Sequence, residues 1–219
     1  MLSPQATVDF VVGNEKFQTF YKIVGDLTAS KSGRPLMVLH GGPGGIHTYM
    51  NSIADLWTQY NIPVIFYDQL GNGGSTHLKE KPADFWTPEL FMDELTNLLE
   101  KLGIAGDFDL LGHSWGGMLG SQYAAMRKPK GLNKLIIASS PASMALFEET
   151  GKEYMKGVPS DVQMAFEKHE SAGTTDSMEY KMAVGALYAK HVCRLQPMPK
   201  DVLDSFTEMD LDKTVNTAM

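Results

Sequence analysis

Phe108-Asp109-Leu110-Leu111-Gly112-His113-Ser114-Trp115-Gly116 is the stretch on which the reading of the fold turns. Phe108 to Leu111 reads as a strand. Trp115 to Arg127 reads as a helix, with Leu119, Tyr123 and Met126 on one face. Between them stands Gly-x-Ser-x-Gly, the pattern of a nucleophile elbow, which lifts a serine clear of a sheet on a sharp strand-to-helix turn. A serine hydroxyl is a poor nucleophile until it is exposed beside a base and oxyanion donors. The turn supplies the exposure. Side chains two residues to either side would collide with the backbone, and glycine at 112 and 116 leaves that space empty. The bare pentapeptide is moderate evidence; its strand–turn–helix context makes it strong. Ser114 is the candidate nucleophile.

Working outward, Val8 to Val12 and Phe17 to Val24 flank Gly13-Asn14 and suggest an antiparallel hairpin. Then the pattern changes. Leu36 to Leu39, Val64 to Tyr67, Phe108 to Leu111 and Leu135 to Ala138 are short apolar runs without alternation, the look of strands buried on both faces. Helical pattern falls between them. Met50, Ile53 and Trp57 share one face. Phe91, Leu95, Leu98, Leu99 and Leu102 share another, with Thr87 as N-cap, Pro88 at the first position and Gly103 past the end. Such alternation predicts an α/β fold: a mostly parallel sheet with helices on both faces. After Ser140 the strand signals stop, and the pattern is helical with breaks at Gly157-Val158-Pro159, Ala172-Gly173-Thr174 and Gln196 to Pro199. The expected organisation is therefore a core over 1–140 and a helical cap over 141–219.

The chain has 219 residues, 43% hydrophobic and 21% charged, enough for one sizeable domain or a domain with an insertion. Its net charge of −7 argues against a nucleic-acid surface. Residues 141–219 carry 13 of the 26 acidic and 8 of the 19 basic side chains, mostly a solvated helical surface. Met1 to Phe10 has no apolar run of signal-peptide length, and no stretch reaches a membrane span, so a cytoplasmic location is the default. Cys193 is the single cysteine; it forms no internal disulfide and reads as a small buried or half-buried side chain.

Two further motifs follow parallel strands. In His40-Gly41-Gly42-Pro43-Gly44-Gly45 the glycines allow close approach to backbone N–H groups, as an oxyanion hole requires. One donor comes from such a loop and the other from the residue after the nucleophile, which selects Gly42 and Trp115. A phosphate loop is the competing reading. It fails because no Gly-Lys-Ser/Thr follows the glycines and no Gly-x-Gly-x-x-Gly occurs; no cofactor or metal is expected. Asp68, in Asp68-Gln69-Leu70-Gly71-Asn72-Gly73-Gly74-Ser75, is a candidate triad acid, but a carboxylate there more often pins its turn through backbone N–H groups. Six histidines are candidates for a base: His40 and His113 beside motif glycines, His47 and His77 near loops, His169 and His191 in the cap region. A packing or surface role is the commoner one for each.

Together His40 to Gly45, Tyr67 to Ser75 and Gly112-His113-Ser114-Trp115-Gly116-Gly117 resemble the proline iminopeptidase branch of the α/β-hydrolases, particularly fungal prolyl aminopeptidase and L-amino-acid amidase-like sequences. Ser140 to Met144 and His191 to Leu195 are similar to that family's cap entry and cap helix. The resemblance implies removal of an N-terminal residue, often proline, from a peptide, or hydrolysis of an amino-acid amide, with Ser114 as nucleophile. It also implies that the catalytic Asp and His, and the acidic groups that hold the substrate amine, lie on strands past the point matching Met219. The chain is thus expected to be the N-terminal portion of such an enzyme. A carboxylesterase or lactonase is the runner-up, because one elbow serves any acyl transfer; a non-catalytic chain that binds a small molecule or partner is the reading from a different class.

Overall fold

A computed structural model describes residues 5–28 and 33–219; Met1–Pro4, part of the stretch read for a leader, lie outside them. Six strands among the described residues form one sheet: β1 (Gln5–Val12), β2 (Glu15–Val24), β3 (Leu36–Leu39), β4 (Val64–Asp68), β5 (Phe108–His113) and β6 (Leu132–Ala138), in the order β1-β2-β4-β3-β5-β6. The β1–β2 hairpin turns at Gly13, whose positive φ of 60° suits glycine, and β2 joins β4 antiparallel. From β4 to β6 the pairing is parallel.

The uninterrupted apolar runs are explained by two-sided burial. Met37, Leu39, Ile65 and Tyr67 belong to one core, and Leu36, Val38, Val64 and Phe66 to another on the opposite face. The first core is closed by α2 (Pro88–Lys101) and α3 (Trp115–Met126), through Phe91, Leu95, Leu98 and Leu119. The second is closed by the 3₁₀ segment His47–Ala54 and α1 (Asp55–Tyr60), through Met50, Ile53 and Leu56. Helix α2 starts as its sequence dictates: Thr87 accepts the Leu90 N–H at 3.2 Å and Pro88 opens the helix. Strand β6 is an edge of this sheet and begins earlier than the expected Leu135, so Lys134 lies within it; Ile136 and Ile137 are exposed.

The chain divides into two compact units: residues 1–140 with 201–219, and residues 141–200. The sequence reading placed 141–219 in one cap; the structure returns 201–219 to the first unit. The physical reason is a set of contacts far apart in sequence. Ser205 Oγ, on α7 (Lys200–Leu211), accepts the Ile46 N–H at 3.2 Å. Thr48 Oγ1 donates to Asp201 O at 2.9 Å, and Asn216, on α8 (Thr214–Ala218), donates to Pro43 O at 2.8 Å. Val215 is buried in the first core.

The second unit contains α4 (Met144–Lys156), α5 (Ser160–Ala172) and α6 (Met178–His191), separated at the expected breaks. Its small core holds Ala165, Phe166 and Ala183, with Tyr180 edge-on to Phe166 at 5.1 Å. No helix among the described residues is long and apolar enough to cross a membrane.

Candidate active site

Strand β3 has β4 on one side and β5 on the other, so the chain leaves β3 and β5 in opposite directions. The C-terminal ends of those strands mark a topological switch point, the place where ligands of open α/β sheets bind. The loop His40–Gly45 leaves β3 there, and Ser114 leaves β5.

Ser114 has φ 53° and ψ −121°, a backbone conformation rare for a residue with a side chain. The flanking glycines are a steric necessity. A Cβ on Gly112 would fall 2.2 Å from Gly116 O, and one on Gly116 would fall 2.3 Å from Leu39 O. The elbow thus packs its own turn and the end of β3 in direct backbone contact. Trp115 opens α3, so its N–H is one of the donors a helix start leaves without an intrahelical partner.

The neighbouring loop closes on the same point. A Cβ on Gly41 would lie 3.0 Å from Ser114 Cβ and 3.0 Å from the Tyr49 hydroxyl. Gly42 is exposed with φ 127°, and a Cβ there would meet Gly44 N at 2.5 Å. Loop and elbow are tied together. Gln69 accepts the Trp115 indole N–H at 2.9 Å and donates to His40 O at 3.2 Å. Gln69 N–H donates to His40 Nε2 at 3.0 Å, so the ring proton sits on Nδ1, which donates to Gly41 O at 2.9 Å. The Gly41–Gly42 peptide is planar and trans. Holding its carbonyl toward His40 therefore aims the Gly42 N–H the other way. Burial pulls the His40 pKa down and keeps the ring neutral, as that tautomer needs.

The histidines separate by their partners. His47 and Asp68 form a buried pair, Nδ1 to Oδ1 2.7 Å, and Asp68 also accepts the N–H groups of His47 at 2.9 Å and Gly74 at 3.0 Å. Burial pushes the Asp68 pKa up, but the hydrogen bond and attraction from His47, with the Gly74 N–H, outweigh it and hold it below the usual value. Asp68 thus pins its turn, the role favoured from the sequence. His77 pairs with Asp212 at 2.5 Å. His169 bonds Thr174 and Glu179, and His191 stacks on Tyr154 at 4.7 Å. His113 bonds Tyr49 at 2.8 Å, with its pKa lowered by burial. Among the described residues, none of these rings is hydrogen-bonded to Ser114, and no group of three His, Cys, Asp or Glu has metal-binding geometry. Cys193 is half-buried. Sequence reasoning had not singled out Gln69, Tyr49, Asn216 or Ser205. Only Gln69, inside the Asp68 to Ser75 motif, carried any local signal.

Residues 34–219 match the family described as the alpha/beta hydrolase fold. This chain belongs to the α/β-hydrolase family. Within the family it is similar to proline iminopeptidases. That of Clostridium botulinum is 37% identical over 176 residues, which are 80% of this chain and 58% of the relative. The crystal structure of the Mycobacterium smegmatis proline iminopeptidase superposes with a TM-score of 0.83 at 41% identity, covering 96% of this chain and 69% of that one. The crystal structure of VinJ superposes with a TM-score of 0.90 at 49% identity, covering 97% and 70%. The chain spans 55% to 63% of the length of the curated family members it matches.

Proposed function

We propose that this chain carries the nucleophile and oxyanion donors of a serine hydrolase that releases an N-terminal residue, proline in particular, from peptides or hydrolyses amino-acid amides. The observation that carries the reading is Ser114, held at φ 53° at the start of α3 beside a loop whose Gly41 touches it. Its hydroxyl oxygen attacks the scissile carbonyl carbon, and the carbonyl oxygen becomes an oxyanion facing the N–H groups of Gly42 and Trp115. The hydroxyl proton passes to a base and then to the leaving amine; water and the same base release the acyl group. Base and acid are assigned to residues outside this chain, because no described histidine bonds Ser114. The substrate class is supported by the proline iminopeptidases among its relatives.

The chain alone should therefore turn over a prolyl anilide only weakly. Oxyanion donors and binding sustain a residual of roughly 10³–10⁴ over water in intact enzymes that have lost triad members. That residual does not use the nucleophile, so it should persist in Ser114→Ala and fall with an N-acetylated substrate. Robust turnover abolished by Ser114→Ala would mean that one of the six histidines, or a second chain, is the base. Faster cleavage of simple aryl esters than of prolyl amides would favour the esterase reading. Small-molecule binding without turnover would favour the non-catalytic one, for which the missing Ser114–histidine contact speaks.

A further inference from the structure

We infer that Tyr49 is a positioning residue of the acyl-transfer site: its hydroxyl joins the Gly41 N–H to the His113 ring and so fixes the oxyanion loop on the elbow. The inference rests on the reading of Ser114 as nucleophile.

Tyr49 belongs to the 3₁₀ segment after β3, and its half-buried ring packs at the rim of the second core. The hydroxyl reaches back over the loop. Gly41 N–H donates to it at 2.7 Å, and it lies 2.8 Å from His113 Nδ1. Burial pushes the Tyr49 pKa up to about 12, so the phenol keeps its proton. Gly41 takes an acceptor site of the oxygen, and the phenol proton is placed to donate to the remaining partner, His113 Nδ1, when that nitrogen carries no proton. His113 is then the Nε2–H tautomer, neutral in keeping with its lowered pKa. His113 immediately precedes Ser114, and its ring sits edge-on to Tyr49 at 5.3 Å.

Gly41 therefore has both adjoining peptide planes pinned. Tyr49 holds the N–H of the first, and His40 Nδ1 holds the carbonyl of the second, which carries the Gly42 N–H. Four glycines in six residues leave this loop little stiffness of its own. Without the Tyr49 hydroxyl, the first plane keeps only the Gln69 side-chain donor on its His40 carbonyl, at 3.2 Å, and the Gly42 donor is held less firmly at its distance from Ser114. Oxyanion donors act because they are preorganised, so the loss should appear in the chemical step and not in ligand affinity.

The test is Tyr49→Phe in the full 219-residue chain. It keeps the ring and removes one oxygen. Ser114 labelling by a fluorophosphonate is followed by intact mass to separate kinact from KI, and the Gly41 amide by hydrogen exchange. The expected result is a kinact about tenfold lower, a fraction of the 10²–10³ that losing a donor outright costs, with KI unchanged. Gly41 exchange should rise about tenfold, the scale of one lost hydrogen bond. A purely structural role would lower thermal stability and leave kinact in place. An unchanged kinact, or a rise in KI instead, overturns the inference. If the wild-type chain is labelled at another residue and not at Ser114, the nucleophile reading fails; if labelling is too slow to give a kinact, as for a serine without its base, the positioning role stands or falls on Gly41 exchange alone. If Tyr49→Phe does not fold, the wild-type chain decides: a protected Gly41 amide and an Nε2–H His113 in nitrogen NMR support it, while a freely exchanging Gly41 or an Nδ1–H ring overturns it.

Discussion

Replacing Glu94 by glutamine should change the pH dependence of stability more than stability at low pH. Glu94 lies on α2 and is fully buried. It accepts the Thr19 hydroxyl from β2 at 2.6 Å and the Leu70 N–H at 3.0 and 3.1 Å, so it pins the loop that follows β4 to the hairpin. Burial pushes its pKa up to about 7; the Thr19 and Leu70 hydrogen bonds oppose this and the charge of Asp68 adds to it. In the unfolded chain the group returns to the ordinary carboxyl value of about 4.3. A raised carboxyl pKa means that the native state binds the extra proton. Its stabilising contribution is therefore complete below about pH 4.3 and is lost as pH rises through about 7. At about 1.4 kcal/mol per unit the full swing is about 4 kcal/mol, of which about 3 kcal/mol falls between pH 4.5 and 8. Other groups overlap this window: buried His40 and half-buried His113, with lowered pKa values, add stability as pH rises toward about 6.5. The difference between variant and wild type cancels them. Urea unfolding of both proteins from pH 4.5 to 8 should show the Glu94→Gln variant gaining about 3 kcal/mol on wild type, with a plateau above about pH 8. A difference that is flat across that range, or that falls, refutes the reasoning.

Two other outcomes follow from the same contacts. Gly116→Ala would put a methyl against the backbone oxygens of Leu39 and His40, which have nowhere to move in the sheet, and should cost about 3 kcal/mol or more in urea unfolding; an unchanged midpoint would show that the elbow and β3 are not in contact. At His77, burial lowers the pKa, but the hydrogen bonds to Asp212 and to Gly73 O outweigh it and raise it above the usual value. The pair's contribution is complete below about pH 6.5 and is lost as pH rises through the folded value. Amide exchange in α8 should accordingly accelerate, relative to its intrinsic rate, between pH 6 and 9, and Asp212→Asn should remove that dependence; protection that ignores pH in the wild type contradicts it.

What the sequence made legible was whatever burial or sterics writes into a local pattern. Leu36 to Leu39 and Val64 to Tyr67 are apolar without alternation because helices cover both faces of the sheet. Thr87-Pro88 announces α2, and the glycines of the elbow announce a turn that no side chain at 112 or 116 tolerates. The features that escaped are made by distant residues. Asn216 meets Pro43, and Ser205 meets Ile46, across more than 150 positions, and no periodicity records such pairs. Hence the helical stretch expected over 141–219 divides after residue 200 in the structure, its last 19 residues grouping with the first unit. Glu94 left a faint trace, three residues after Phe91 and four before Leu98, a carboxylate on an apolar stripe. Tyr49 left none, because its role belongs to one oxygen atom placed by the fold.

The most direct test of the central claim is the structure of the chain after prolonged incubation with a fluorophosphonate. The account predicts phosphorus on Ser114 Oγ, with a phosphonyl oxygen about 3 Å from the backbone nitrogens of both Gly42 and Trp115. An adduct on another residue, or those two nitrogens more than about 6 Å from the phosphonyl oxygen, would contradict it, since a donor at that distance makes no hydrogen bond.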